Sequence, residues 1–186
     1  MRTLAITQNV TVDGAVEMLG DWFDPQGQAG ADNSDLLEEI RRQDERADAF
    51  LVGRRTFEDL RSYWPAREDD TTGISAYLDG VQKYVVSSTL TEPGWQHTTV
   101  LAGDPVEQVR ALKEQPGTDI VVTGSIYLCH TLIGAGLVDE YRLLTYPVVQ
   151  GRGRRLFPDG AAEVRLRLVE CRGFRNGVTY SRYARG

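Results

Sequence analysis

Short apolar runs alternate with amphipathic helical stretches along this chain, and that alternation restricts the possible folds more than any other feature. Residues 4–10 read as a first strand, which Asp13-Gly14 turns. Apolar or alternating runs recur at 49–52, 83–88, 98–101, 119–123 and 140–145, each bounded by turn residues. Helical patterns lie between them. One starts at Asn33-Ser34-Asp35, whose side chains are candidate caps, and places Leu36, Leu37 and Ile40 on one face. A second covers 56–62, with Thr56 and Asp59 spaced as a capping box, a third 106–114, and a fourth runs from Gly124-Ser125 to about Gly134. The last two strands, 164–171 and 178–184, flank Asn176-Gly177, a hairpin signal. Strands joined through helices pair in parallel, whereas a hairpin must be antiparallel. The pattern therefore predicts a three-layer α/β sandwich with a mostly parallel central sheet and an antiparallel C-terminal hairpin. A length of 186 residues suits a single domain over the whole chain.

Composition narrows the function classes. The net charge of −6 is spread along the chain, which disfavours a nucleic-acid backbone as partner. No apolar run is long enough to span a bilayer, and the N-terminus lacks a signal-peptide pattern, so neither membrane nor export is expected and the cytoplasm is the simplest compartment. Two cysteines, Cys129 and Cys171, belong to no metal or redox motif and read as buried, inert thiols. His97 and His130 stand far apart, so no protein-built metal site is expected.

In open α/β sheets ligands bind beyond the carboxyl ends of the strands. Two such ends run straight into helices. In LVGRRTFEDL (51–60), Arg54 and Arg55 sit at a helix start, where the macrodipole disfavours cations unless an anion occupies the site. The alternative is a solvated basic turn that pairs with Glu58 or Asp59. In VVTGSIYLCHTL (121–132), Thr123, Gly124 and Ser125 link a buried strand to an apolar helix, and glycine permits close backbone approach. A tight structural turn is the competing account. Ser87 and Ser88 end the strand after the arginine pair. Should the two strands be neighbours, hydroxyl and guanidinium groups converge on one anion, which suits the 2′-phosphate that separates NADPH from NADH.

The run GSIYLCHTLIGAGLVDEYRLLTYPVVQGRGRRLF (124–157), Val12-Asp13-Gly14, and the junction Val52-Gly53-Arg54-Arg55-Thr56-Phe57 resemble the dihydrofolate reductase superfamily. They are most similar to the C-terminal reductase domain of bacterial riboflavin deaminase-reductases and its stand-alone relatives. The resemblance implies a dihydrofolate-reductase-like fold, NADPH as cofactor and a homodimer. It implies that Arg54, Arg55 and Thr56 hold the cofactor phosphates, Ser87 and Ser88 the 2′-phosphate region, and Thr123, Gly124, Ser125, Ile126 and Tyr127 the second phosphate junction. Trp22 resembles a cofactor-side tryptophan of the riboflavin branch, with packing on the core as its alternative. Thr145 resembles a substrate-site threonine, and Asp35 starts the helix that carries the active-site carboxylate, although helix capping would also explain it. The implied activity is reduction of a heterocyclic small molecule in the manner of a 5-amino-6-(5-phosphoribosylamino)uracil reductase. Reduction of dihydrofolate or a pterin is the alternative, as is a non-catalytic NADPH-binding module. Leu137, Val138, Val148 and Val149 offer apolar surface for a dimer unless the core takes them. The chain departs from the family in FEDLRSYWP (57–65), which stands in place of an Asp-Asp-Pro segment, and in Thr123-Gly124, which stands in place of two glycines.

Overall fold

The computed structural model describes residues 1–23, 30–160 and 162–186. Its elements are β1 (Thr3–Thr11), α1 (Ser34–Asp44), β2 (Ala47–Gly53), α2 (Arg54–Tyr63), α3 (Ile74–Gly80), β3 (Gln82–Val86), β4 (Thr98–Leu101), α4 (Pro105–Glu114), β5 (Asp119–Val122), α5 (Ile126–Gly134), β6 (Glu140–Tyr146), β7 (Leu166–Gly173) and β8 (Thr179–Arg185). The strands form one sheet in the order β4-β3-β2-β5-β1-β6-β8-β7. Every pairing is parallel except β6 with β8 and β8 with β7. This is the three-layer architecture that the alternation predicts.

Burial explains the middle of the sheet. All four residues of β5 are buried because helices cover both faces, so its pattern is a continuous apolar run. One face packs on α4 and α5 through Val109, Leu112, Cys129 and Leu132, all 0–2% exposed. The other face packs on α2 and α3 through Phe50, Val52, Phe57 and Leu78, and on α1 through Leu36. Each such side chain contributes about 1.5–3 kcal/mol when fully buried. The free edge at β7 is blunted by Arg167, Glu170 and Arg172 and by a register shift between Leu168 and Glu170.

Several local expectations are corrected. Helix α3 was not anticipated, because its seven residues follow a polar stretch without periodicity. Asp70 builds its start by accepting N–H groups from Thr72 and Ser75. At its other end Lys83, 0% exposed, donates to the carbonyls of Leu78 and Val81. Thr56 and Asp59 do not form a capping box, since α2 already starts at Arg54 and Thr56 lies inside it. Helix α1 has no side-chain cap: Asn33 accepts from Asn176 instead, and Asp32 takes the Ser34 N–H. Strand β7 is shifted by two residues relative to the expected 164–171. Cys129 is buried, and that burial pushes its thiol up to about 12. Cys171, by contrast, is exposed on the edge strand. Leu137 and Val138 belong to the core, so only Val149 of the apolar dimer candidates is strongly exposed, at 73%. Among the described residues, no helix is long and apolar enough to cross a membrane.

Candidate active site

Strands β2 and β3 are neighbours, with Gly53 paired to Val86, and β5 lies on the other side of β2. The ends of these three strands therefore bring the two arginines, the two serines and the Thr123 junction to one edge of the sheet. The two strand-to-helix junctions are bonded to each other. The Gly53 N–H donates to Ser125 Oγ at 2.9 Å, and the Ser125 N–H donates to Thr56 Oγ1 at 3.0 Å. Gly124 and Ser125 both adopt left-handed backbone, at φ +59° and +44°. A Cβ on Gly124 would stand 3.0 Å from the Thr56 methyl, so glycine is what lets the junctions close up. No peptide among the described residues is cis.

Neither α2 nor α5 has a side-chain cap. Helix α4 does: Asp104 accepts the N–H groups of Val106 and Glu107. The first-turn N–H groups of α2 and α5 thus remain without that satisfaction, side by side, and such termini attract anions. Arg54 pairs with Glu58 at 3.1 Å along its own helix. Arg55 is exposed, makes no hydrogen bond among the described residues, and helps hold the Glu17 carboxyl below its ordinary value, behind the larger effect of Arg154. Ser87 Oγ accepts the N–H groups of Thr89 and Leu90, which leaves its own proton free to donate, and Ser88 is exposed. Ile126 is buried, whereas Tyr127 is 74% exposed beneath the Arg154 guanidinium.

A cavity of about 340 Å³ opens beside these junctions, between the sheet and helices α1, α2 and α3. Thr7, Asn9, Val121 and Thr123 form its floor, and Leu36, Ile40, Leu60 and Trp64 stand on its walls. Phe23, Asn33, Tyr146 and Asn176 also line it. Trp22 packs edge-on against Tyr146, with ring centroids 5.3 Å apart, and its Nε1–H donates to Gln150 at 2.7 Å. Gln150 also accepts the Leu19 N–H and donates to the carbonyls of Glu17 and Arg152. Asp13 receives the Thr11 hydroxyl and the N–H groups of Gln150 and Gly151, which together hold its carboxyl down to about 2. The Val12-Asp13-Gly14 and Pro147-to-Gly153 motifs are thus two halves of one clamp that fixes the loop carrying Trp22.

Asp35 and Thr145 do not line the cavity. The Asp35 carboxylate turns toward the β7–β8 turn, accepting the N–H groups of Arg175 and Leu36. Thr145 lies between Leu144 and Tyr146, which do line the cavity, and strand alternation sends it to the other face. Among the described residues, the carboxyl group that does line it is Asp44, at the last position of α1 and one of three acids in the charged run RRQDERAD. Burial among apolar walls pushes the Asp44 carboxyl up to about 7.

The family model of the RibD C-terminal domain matches residues 2–180. The chain belongs to that family. A protein of Bacillus subtilis (strain 168) called YyaP, itself uncharacterized, is 34% identical over 95% of this chain and 92% of its own. Among solved structures, a diaminohydroxyphosphoribosylaminopyrimidine deaminase/5-amino-6-(5-phosphoribosylamino)uracil reductase of Thermotoga maritima has a TM-score of 0.67 at 15% identity, covering all of this chain and 57% of that one. The dihydrofolate reductase of Enterococcus faecalis, complexed with NADP(H), has a TM-score of 0.63 at 17% identity over 99% of this chain and 96% of that one. The RibD C-terminal domain is of the reductase type, and the fold is the dihydrofolate-reductase-like one.

Proposed function

We propose that the chain is an NADPH-dependent reductase of a heterocyclic small molecule, of the riboflavin-biosynthesis type. The observation that carries this reading is the pair of uncapped helix starts, α2 and α5, pinned together by Thr56 and Ser125 at the mouth of an apolar cavity. The donor set fits a dinucleotide. Backbone N–H groups at Arg54, Arg55 and Thr56 and at Ile126 and Tyr127 suit the diphosphate, with Gly124 leaving room for its approach. Arg55, Ser87 and Ser88 suit the 2′-phosphate, and Trp22 stands with Tyr146 on the loop side of the cavity. When bound, NADPH supplies the hydride. The chain's own residues bind and orient the reactants and keep water from them: Thr123 and Thr7 on the floor and the apolar walls of α1 and α2 suit an aromatic ring.

Calorimetry should give NADPH a dissociation constant at least tenfold below that of NADH, a difference of about 1.4 kcal/mol. One charge-assisted hydrogen bond at about 1.5–3 kcal/mol is enough for that. Arg55→Ala should bring the two constants together. Equal constants in the wild-type chain would remove the 2′-phosphate assignment, and NADPH oxidation against pyrimidine, pterin and folate substrates tests the reaction itself.

A homodimer is part of the same proposal. The exposed Val149, beside the clamp that fixes the loop, supports it, and light scattering at micromolar concentration should return twice the 20.7 kDa chain mass. A monomer mass would sink it. A cytoplasmic location also belongs to this reading, because two unbridged cysteines, one of them exposed, suit a reducing compartment.

A further inference from the structure

Among the described residues that line the cavity, Asp44 is the one carboxyl group, and there is no lysine, arginine or histidine. Asp44 at the end of α1 and Tyr77 of α3 both line the cavity, the carboxyl acts on the Tyr77 phenol, and the Tyr77 ring meets Phe50 edge-on at 6.3 Å, so the two groups share one end of it. The Asp44 carboxylate has no hydrogen-bond partner among the described residues, and the Tyr77 hydroxyl is buried without one. A buried polar group left unpaired is costly, so the Tyr77 hydroxyl beside the half-buried Asp44 carboxylate marks a place where a ligand supplies the missing groups. The C-terminal carbonyls of α1 add partial negative charge at Asp44 itself, which favours a cation there and opposes an anion.

We infer that this end of the cavity binds the amine- or amidine-bearing end of an aromatic substrate. Asp44 accepts its N–H groups, and Tyr77 makes the second polar contact. The inference rests on the reductase reading for the word substrate, but the site itself is defined by the cavity. A phosphate does not suit this end of the cavity, where the only charged lining group among the described residues is acidic. Arg142 of β6 lies behind Tyr77, but it does not line the cavity, and Asp119 and Glu140 hold it by ion pairs. Asp48 of β2 adds negative potential near Tyr77, and Gln43 of α1 is uncharged and engaged with Glu39. Because the Asp44 carboxyl titrates near 7, it is mostly ionised above that pH and mostly neutral below it. A ligand that stays cationic therefore binds more tightly as the pH rises.

The test uses the full chain and three ligands on one aromatic body: 2-naphthamidine, 2-naphthoate and 2-naphthyl phosphate. Calorimetry should show the amidine binding at least tenfold more tightly than either anion, and about tenfold more tightly at pH 8 than at pH 6. Asp44→Asn should remove both the preference and the pH dependence, and Tyr77→Phe should weaken the amidine alone. Should Asp44→Asn not fold, the wild-type ligand order and its pH dependence decide the matter. The inference is overturned if the phosphate binds best, if no ligand binds, or if the preference survives Asp44→Asn in a folded protein. NADPH titrations of the same samples report on the cofactor assignment separately: their failure would remove the reductase reading while leaving the amidine result as measured.

Discussion

Gly124→Val should bind NADPH at least a hundredfold more weakly than the wild-type chain, a loss of about 2.7 kcal/mol, while still folding. The backbone at Gly124 has φ +59°, a region that costs an L-residue about 1–2 kcal/mol and suits a β-branched one least. The added Cβ would stand 3.0 Å from the Thr56 methyl, and valine brings two further carbons. Thr56 cannot retreat freely, because its Oγ1 holds the Ser125 N–H. The substitution therefore forces the starts of α2 and α5 apart, which separates the two sets of N–H groups proposed to share one diphosphate. The fold loses less than the site does, because the strands that carry these junctions are paired along their length. The same 1–2 kcal/mol should lower the melting temperature by about 2–8 °C. Titration beside a thermal melt separates the two effects. Unchanged NADPH affinity in a destabilised protein would show that the junction is only a tight turn.

This junction was legible in the sequence because its signal is local: a buried apolar run, a glycine and an apolar helix, all contiguous. The mix of parallel and antiparallel pairings was legible for a similar reason, since alternation and the Asn176-Gly177 turn decide it, whereas the strand order was not, because it rests on contacts between distant segments. The reciprocal bonds of Thr56 and Ser125 were not legible. They join residues 69 apart, and Thr56 looked like a cap because threonine at a helix start usually is one. Asp35 misled in the opposite sense. It stands early on the helix that walls the cavity, but the N–H groups of Arg175 and Leu36 are nearer and take its oxygens. Asp44, at the other end of that helix, sits in a charged run that reads as a solvated face. Only the packing of α3 over Phe50 turns it into a cavity residue, and α3 itself carried no periodic signal. The acid facing the cavity was therefore hidden behind an unanticipated element.

Arg142→Met should cost about 3–5 kcal/mol of stability, although it deletes a group that no sequence motif singles out. Arg142 sits in β6, one strand from the centre of the sheet, and is 1% exposed. Its Nη2 donates to Asp119 at 2.6 Å and to Glu140 at 2.8 Å. Methionine fills a similar volume, so the loss would come from the carboxylates left behind and not from a void. They differ in what remains to them. Glu140 keeps Arg182 at 3.2 Å, whereas Asp119, buried on β5, keeps among the described residues only the ion pair with Arg46 at 3.8 Å, whose side chain is more than half exposed. Most of the cost should therefore fall on Asp119. The double variant Arg142→Met, Asp119→Val should recover most of the stability lost by the single one, because a buried ion pair replaced by apolar side chains is often neutral. Urea unfolding of the wild-type chain and both variants measures this directly. A single variant that loses less than about 1 kcal/mol would mean that water reaches the pair. A double variant no better than the single one would place the cost on Glu140 or on lost packing.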